Sequence, residues 1–196
     1  MYLMAIIICY LCCHHIWSQF FFFKNSLHIF RIIFLSSLYF VFQSKVTPLS
    51  TLVGRYDLQF ILSKSTHLLF LSTILLRVLI KFVFPIGDTI NVSLKEALWQ
   101  CALAPITEEV LFRGLFLSIL LKTHTERQAI LLSVLIFVSV HQIQSLHQIG
   151  VLAILGLILG IAFVKSRNLL LCILLHSLWN MIIFIPVTSL CPFGVL

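Results

Sequence analysis

Charge is what this sequence has least of. Of its 196 residues only 10% are charged, 6 of them acidic and 13 basic, whereas an ordinary soluble domain has about 25% charged and roughly 45–50% apolar residues. With 61% hydrophobic residues, so few charges cannot cover the surface of a water-soluble globule of this size. The same shortage excludes intrinsic disorder and a charged coiled coil. Having only 7 glycines excludes a collagen-like fibre, which needs glycine at every third position. No Gly/Ser linker, internal repeat or second composition interrupts the chain. The apolar excess therefore faces lipid. The expected fold class is all-α, a polytopic transmembrane helix bundle of about six to seven helices, multi-pass in a cell or organelle membrane.

The net charge of +7 does not point to nucleic acid, because the basic residues stand singly or in pairs at the ends of apolar stretches. The partner this placement predicts is the lipid bilayer, with the basic residues as headgroup anchors. If the segments from Ile29 onward alternate across the membrane, Lys24, Arg31, Arg77, Lys81 and Lys95 fall on one side. Lys45, Arg55, Lys64, Lys122, Arg127, Lys165 and Arg167 fall on the other, a bias too small to set orientation. Four of the six cysteines, Cys9, Cys12, Cys101 and Cys172, lie inside apolar runs and read as buried thiols. Four adjacent side chains, as in Cys12-Cys13-His14-His15, cannot all converge on one ion. The run from Met1 to Leu11 has no basic residue before it and reads as retained membrane structure. Phe20 to Phe23, followed by Lys24, resembles an aromatic belt.

Apolar segments are expected near Ile29 to Phe42, His67 to Phe84, Leu94 to Leu121, Gln128 to Val140, Ile149 to Val164 and Leu169 to Ile185. Residues 1–93 read as N-terminal apolar helices, and residues 94–187 as a helical core within one membrane domain. Ser93 and Glu96 have capping-box spacing and predict a helix start. The helix to Leu121 would be about 42 Å long, more than the hydrocarbon core, and Pro105, which has no N–H for the carbonyl of Cys101, predicts a bend. Gly156 and Gly160 form a small-xxx-small pair suited to close helix packing.

Ionisable groups inside a membrane cost about 2.5–3.5 kcal/mol each on insertion scales, so those present need a reason. Glu108, Glu109 and Arg113 sit in the middle of the long helix. Glu109 and Arg113 are four apart, in the favourable order for a salt bridge, whereas Glu108 lies about 140° from Arg113 on the helical wheel. Arg113 thus claims Glu109, and Glu108 becomes the candidate general base. Two later segments carry His141 and the pair His176 and Asn180, four apart on one helix face. Counted at 1.5 Å per residue from the basic joints, Glu108 and His141 both lie about 21 Å deep, His176 about 14 Å and Asn180 about 20 Å. All four can share one layer.

These residues resemble the CAAX-prenyl-protease and bacteriocin-processing (CPBP or Abi) family of intramembrane proteases, whose motifs are EExxxR, FxxxH and HxxxN/D. Here they read Glu108-Glu109 with Arg113, Phe137 with His141, and His176 with Asn180, in that order on successive apolar helices. The resemblance covers Leu94 to Ile185. It implies an intramembrane endopeptidase acting on a prenylated or membrane-associated protein or peptide. Glu108 and His141 would activate a water, His176 and Asn180 would form the oxyanion hole, and Glu109 and Arg113 would hold the helix and tune Glu108. Zinc is the alternative, with Glu108, His141 and His176 as ligands. The metal-free reading, with no cofactor, is preferred because no HExxH helix is present. Two other classes stand beside it. An immunity or interaction protein of the same fold would not need this residue set, and an ion or proton carrier would spread ionisable groups through the membrane depth.

Overall fold

The computed structural model describes residues 63–83, 93–141 and 145–184. The segments expected before residue 63, including the Cys12 to His15 cluster and the Phe20 to Phe23 belt, lie outside the described residues. Among the described residues the fold is all-helical, with five helices. The expected six to seven would include helices from residues 1–62.

Helix α1 is Lys64–Val83, begun by Ser63, whose Oγ accepts from the Thr66 N–H at 3.3 Å. Helix α2 runs over residues 94–120. Its start is the expected capping box, with the Ser93 side chain and Glu96 N–H bonded one way and the Glu96 side chain and Ser93 N–H the other. Helix α3 is Glu126–Ser139, opened by a second capping box between Thr125 and Gln128. Helix α4, Leu146–Ser166, ends at Arg167 in a left-handed conformation (φ 51°). Asn168 then accepts from the Leu171 N–H and starts α5, Leu169–Ile183.

The hydrogen-bond register changes several times within the long helix. Leu94–Leu98, Ala104–Glu109 and Ser118–Leu120 are α-helical, whereas Trp99–Leu103 and Val110–Leu117 are wider π-helical turns. The first wide turn ends with the Ala104 N–H donating to the carbonyl of Trp99, five residues back. In that register the next carbonyl, Gln100, faces Pro105, which has no N–H to give. The carbonyl left over is therefore that of Gln100, where regular α-helical counting had pointed to Cys101.

Helices α2, α3, α4 and α5 enclose a core that includes Phe112, Phe116, Phe137, Leu159, Phe163, Cys172 and Leu175. A Cβ on Gly156 would stand 3.2 Å from a Val134 methyl, and one on Gly160 3.1 Å from an Ile130 methyl. The glycine pair is thus the seam where α3 lies against α4.

Helix α1 is inside out by soluble-protein standards. Its buried side chains are Thr66, Thr73, Arg77, Ile80 and Lys81, while Leu68, Leu71, Leu75, Leu79 and Phe82 are exposed. In water this arrangement would waste the hydrophobic effect, and in lipid it minimises the number of polar groups facing hydrocarbon. By length and composition, α1 and α4 can each cross a membrane. Arg77 and Lys81 are not the anchors that their position in the sequence suggests. Lys81 donates to the carbonyls of Ile182 and Ile183 at the end of α5, and the Arg77 guanidinium lies 5.2 Å from the centre of the Trp179 ring.

Candidate active site

The Glu-Glu pair sits where the middle α-helical stretch of α2 passes into the second π turn, and both side chains are buried. Successive residues on a helix point about 100° apart, so Glu109 reaches Arg113 and Glu108 reaches His141, while both approach His176. Glu109 accepts from Arg113 Nη1 at 2.8 Å, the salt bridge its spacing predicts. The other Arg113 terminal nitrogen donates to the carbonyl of Gly156 at 3.3 Å. The guanidinium also stacks 4.8 Å above the Phe137 ring. A buried cation held by a carboxylate, a carbonyl and an aromatic face is fixed in place.

Glu109 has a second partner that spacing along one helix could not reveal. The imidazole Nδ1–H of His176 donates to the same carboxylate oxygen at 2.7 Å. Glu109 is therefore more than a prop for α2, because it also sets the orientation of His176.

The Phe-x-x-x-His spacing has a local cause. Helix α3 ends at Ser139, so the carbonyl of Phe137 is one of the last four and has no partner within the helix. His141, four residues on, donates its Nδ1–H to that carbonyl at 2.6 Å. Its ring lies 4.6 Å from the Phe137 ring, which in turn meets Phe112 edge-on at 5.0 Å.

With both Nδ1 atoms occupied, both Nε2 atoms face Glu108. His141 Nε2 stands 3.6 Å from Glu108 Oε2 and His176 Nε2 3.9 Å from the same oxygen. Three groups expected from the sequence thus converge, brought from α2, the end of α3 and α5. His141 keeps 21% of its side-chain exposure against 4% for His176, so the cluster opens on the His141 side. Hydrogen-bonding Nδ1 fixes which nitrogen is presented to the reaction, a role partners commonly play for functional histidines.

Asn180 is placed differently. Its Nδ2 donates to the carbonyl of Gln100 at 2.9 Å, the group that Pro105 leaves over. It joins α5 to α2 one turn beyond His176, and one of its two amide hydrogens is spent there.

Among the described residues, no group of three or more His, Cys, Asp or Glu side chains is arranged to hold a metal ion. The residues named for the zinc alternative, Glu108, His141 and His176, do lie together, with both Nε2 atoms within 3.9 Å of one Glu108 oxygen, and no step below runs through a metal.

The sequence reading assigned no site role to Arg77 or Lys81. The signal was available, since Thr66, Thr73, Arg77 and Ile80 recur at helical spacing and define a face that is polar for its surroundings.

The described residues form a helical assembly with one helix of inverted polarity and a buried carboxylate-imidazole cluster. Comparison narrows the class. Residues 89–182 match the family model of Rce1-like proteins, described as type II CAAX prenyl endopeptidase. This is a family of membrane proteases, and over those residues the CPBP resemblance carried by the three motifs is borne out. An uncharacterized 24.3 kDa protein of Escherichia coli is 40% identical over 77 residues, 38% of this chain and 36% of that protein. The chain thus spans little more than a third of this curated relative's length. No solved structure matches.

Proposed function

We propose that this chain is a CAAX-type intramembrane endopeptidase that hydrolyses a peptide bond in a prenylated or membrane-associated protein or peptide. The observation that carries this reading is the approach of two imidazole Nε2 atoms to one buried carboxylate, Glu108, each imidazole being held through its opposite nitrogen.

In the proposed mechanism a water enters on the more open side and is held between Glu108 and His141. Glu108 takes one of its protons, and the hydroxide oxygen attacks the scissile carbonyl carbon. The carbonyl oxygen becomes an oxyanion. Charge balance suits His176 as its donor. Glu108 and Glu109 carry two negative charges against one positive charge on Arg113, and an imidazolium at His176 brings the buried cluster to neutrality. That imidazolium directs its Nδ1–H to Glu109 and its Nε2–H to the oxyanion. The second Nδ2 hydrogen of Asn180 is the other proposed donor. Collapse of the intermediate breaks the C–N bond, and the proton held by Glu108 passes to the departing amine. Each oxyanion donor of this kind is typically worth about 2.7–4 kcal/mol.

The purified chain, reconstituted in bilayers and incubated with a prenylated peptide, should release a C-terminal fragment detectable by mass spectrometry. A chain that is folded yet cleaves no prenylated or membrane-tethered peptide would contradict the proposal.

A further inference from the structure

We propose that Arg77 binds the C-terminal carboxylate of the peptide substrate. The inference rests on the peptidase reading above and adds a recognition site to it.

Among the described residues three cations are buried, Arg77, Lys81 and Arg113, and two of them are supplied with oxygen acceptors. Arg113 has Glu109 and Gly156. Lys81 has the carbonyls of Ile182 and Ile183. Arg77 is the exception. It is only 3% exposed, its guanidinium rests against Trp179, and its Nε, like that of Arg113, is buried without a hydrogen-bond partner, but unlike Arg113 it has no oxygen acceptor among the described residues. An aromatic face attracts a cation but accepts none of the five in-plane N–H bonds of a guanidinium. A buried cation without an oxygen partner is expensive, and a ligand anion that supplies one relieves that cost.

Position indicates which anion. Trp179 follows His176 by three residues, about 4.5 Å along α5, and the Arg77 guanidinium lies 5.2 Å from the Trp179 ring centre, which puts it beside the adjoining turn of α5. In a C-a-a-X terminus, three residues follow the prenylated cysteine and end in a free carboxylate. An extended chain of three residues reaches about 10 Å, enough to span from the scissile carbonyl to Arg77. The planar guanidinium fork also matches a carboxylate in shape, which a lysine ammonium does not.

The test measures binding of two prenylated peptides to the full chain in zwitterionic nanodiscs. Both carry a ketomethylene in place of the scissile amide, and they differ only in ending as a free acid or a carboxamide. The acid should bind about tenfold to a hundredfold more tightly, the range of a charge-assisted pair. Arg77→Gln should bring that ratio close to one, and Arg77→Lys should retain part of it. Equal binding of acid and amide by the wild type, binding of neither, or a preference that survives Arg77→Gln would each overturn the proposal. The wild-type comparison needs no variant, so a misfolded Arg77→Gln protein does not remove the test. Cleavage of the parent peptide is scored separately. An intact acid preference without cleavage would sink the peptidase reading and leave the anion site standing.

Discussion

Glu109 and His176, 67 residues apart in the chain, are joined by a 2.7 Å hydrogen bond from the imidazole Nδ1–H to the carboxylate. The bond ties α2 to α5 at the reacting layer and leaves the opposite imidazole nitrogen facing Glu108. One carboxylate of the Glu-Glu pair thus orients a histidine, and its neighbour is the one proposed to act on water. The two adjacent carboxylates meet opposite nitrogens of the same imidazole, Glu109 at Nδ1 and Glu108 at Nε2.

A double-mutant cycle tests this coupling. Glu109→Gln should slow cleavage by orders of magnitude, because the neutral amide no longer balances the proposed His176 imidazolium and can turn its NH2 instead of its oxygen toward the ring. His176→Ala should be at least as damaging. Groups that act as a unit are non-additive, so the double variant should be about as slow as His176→Ala alone. Multiplicative losses would mean that Glu109 acts independently of His176.

Asn180 bonds the Gln100 carbonyl, and the proposed mechanism gives it a second, separable task. Asn180→Ala strands the carbonyl of Gln100, which lies at an exposed position; if that position faces lipid, the unsatisfied acceptor should cost about 1–3 kcal/mol of stability. Pro105→Ala restores an N–H opposite that carbonyl, so the double variant should recover thermal stability in a detergent melt. It should not recover the cleavage rate, because the oxyanion donor is still missing. Full recovery of both would assign Asn180 to structure alone.

The exposed face of α1 distinguishes lipid from water as its surroundings. Leu75 is 60% exposed. In a soluble domain Leu75→Lys would change stability by no more than about 0.5 kcal/mol. At mid-membrane it should cost about 2.5–3.5 kcal/mol on an insertion scale. A membrane-insertion assay of α1 with and without the substitution reads the difference directly.

Much of this arrangement was legible in the sequence. The Ser93 and Glu96 cap, the Glu109 to Arg113 pair and the glycine seam are local patterns, and local patterns survive folding. Depth counting placed Glu108 and His141 in one layer because helix rise is nearly constant, and they do meet. What could not be read depends on neighbouring helices. The π turns around Pro105 shift which carbonyl is orphaned, and nothing in the residues before Pro105 announces a change of register. The Glu109 to His176 bond joins helices whose adjacency no spacing reveals. Arg77 and Lys81 were misread as anchors because, in a helix apolar on nearly every side, the face turned inward is chosen by the α5 groups that meet it.

The most direct measurement is the cleavage rate of Glu108→Gln beside the wild type, on a prenylated peptide in bilayers, with fragments quantified by mass spectrometry. Gln keeps the size and burial of the side chain but cannot take the proton from water. The rate should fall by about a hundredfold to ten-thousandfold, the range of a lost general base, while the melting profile stays near that of the wild type. Cleavage by a well-folded Glu108→Gln protein at the wild-type rate would contradict the assignment of Glu108 as the base.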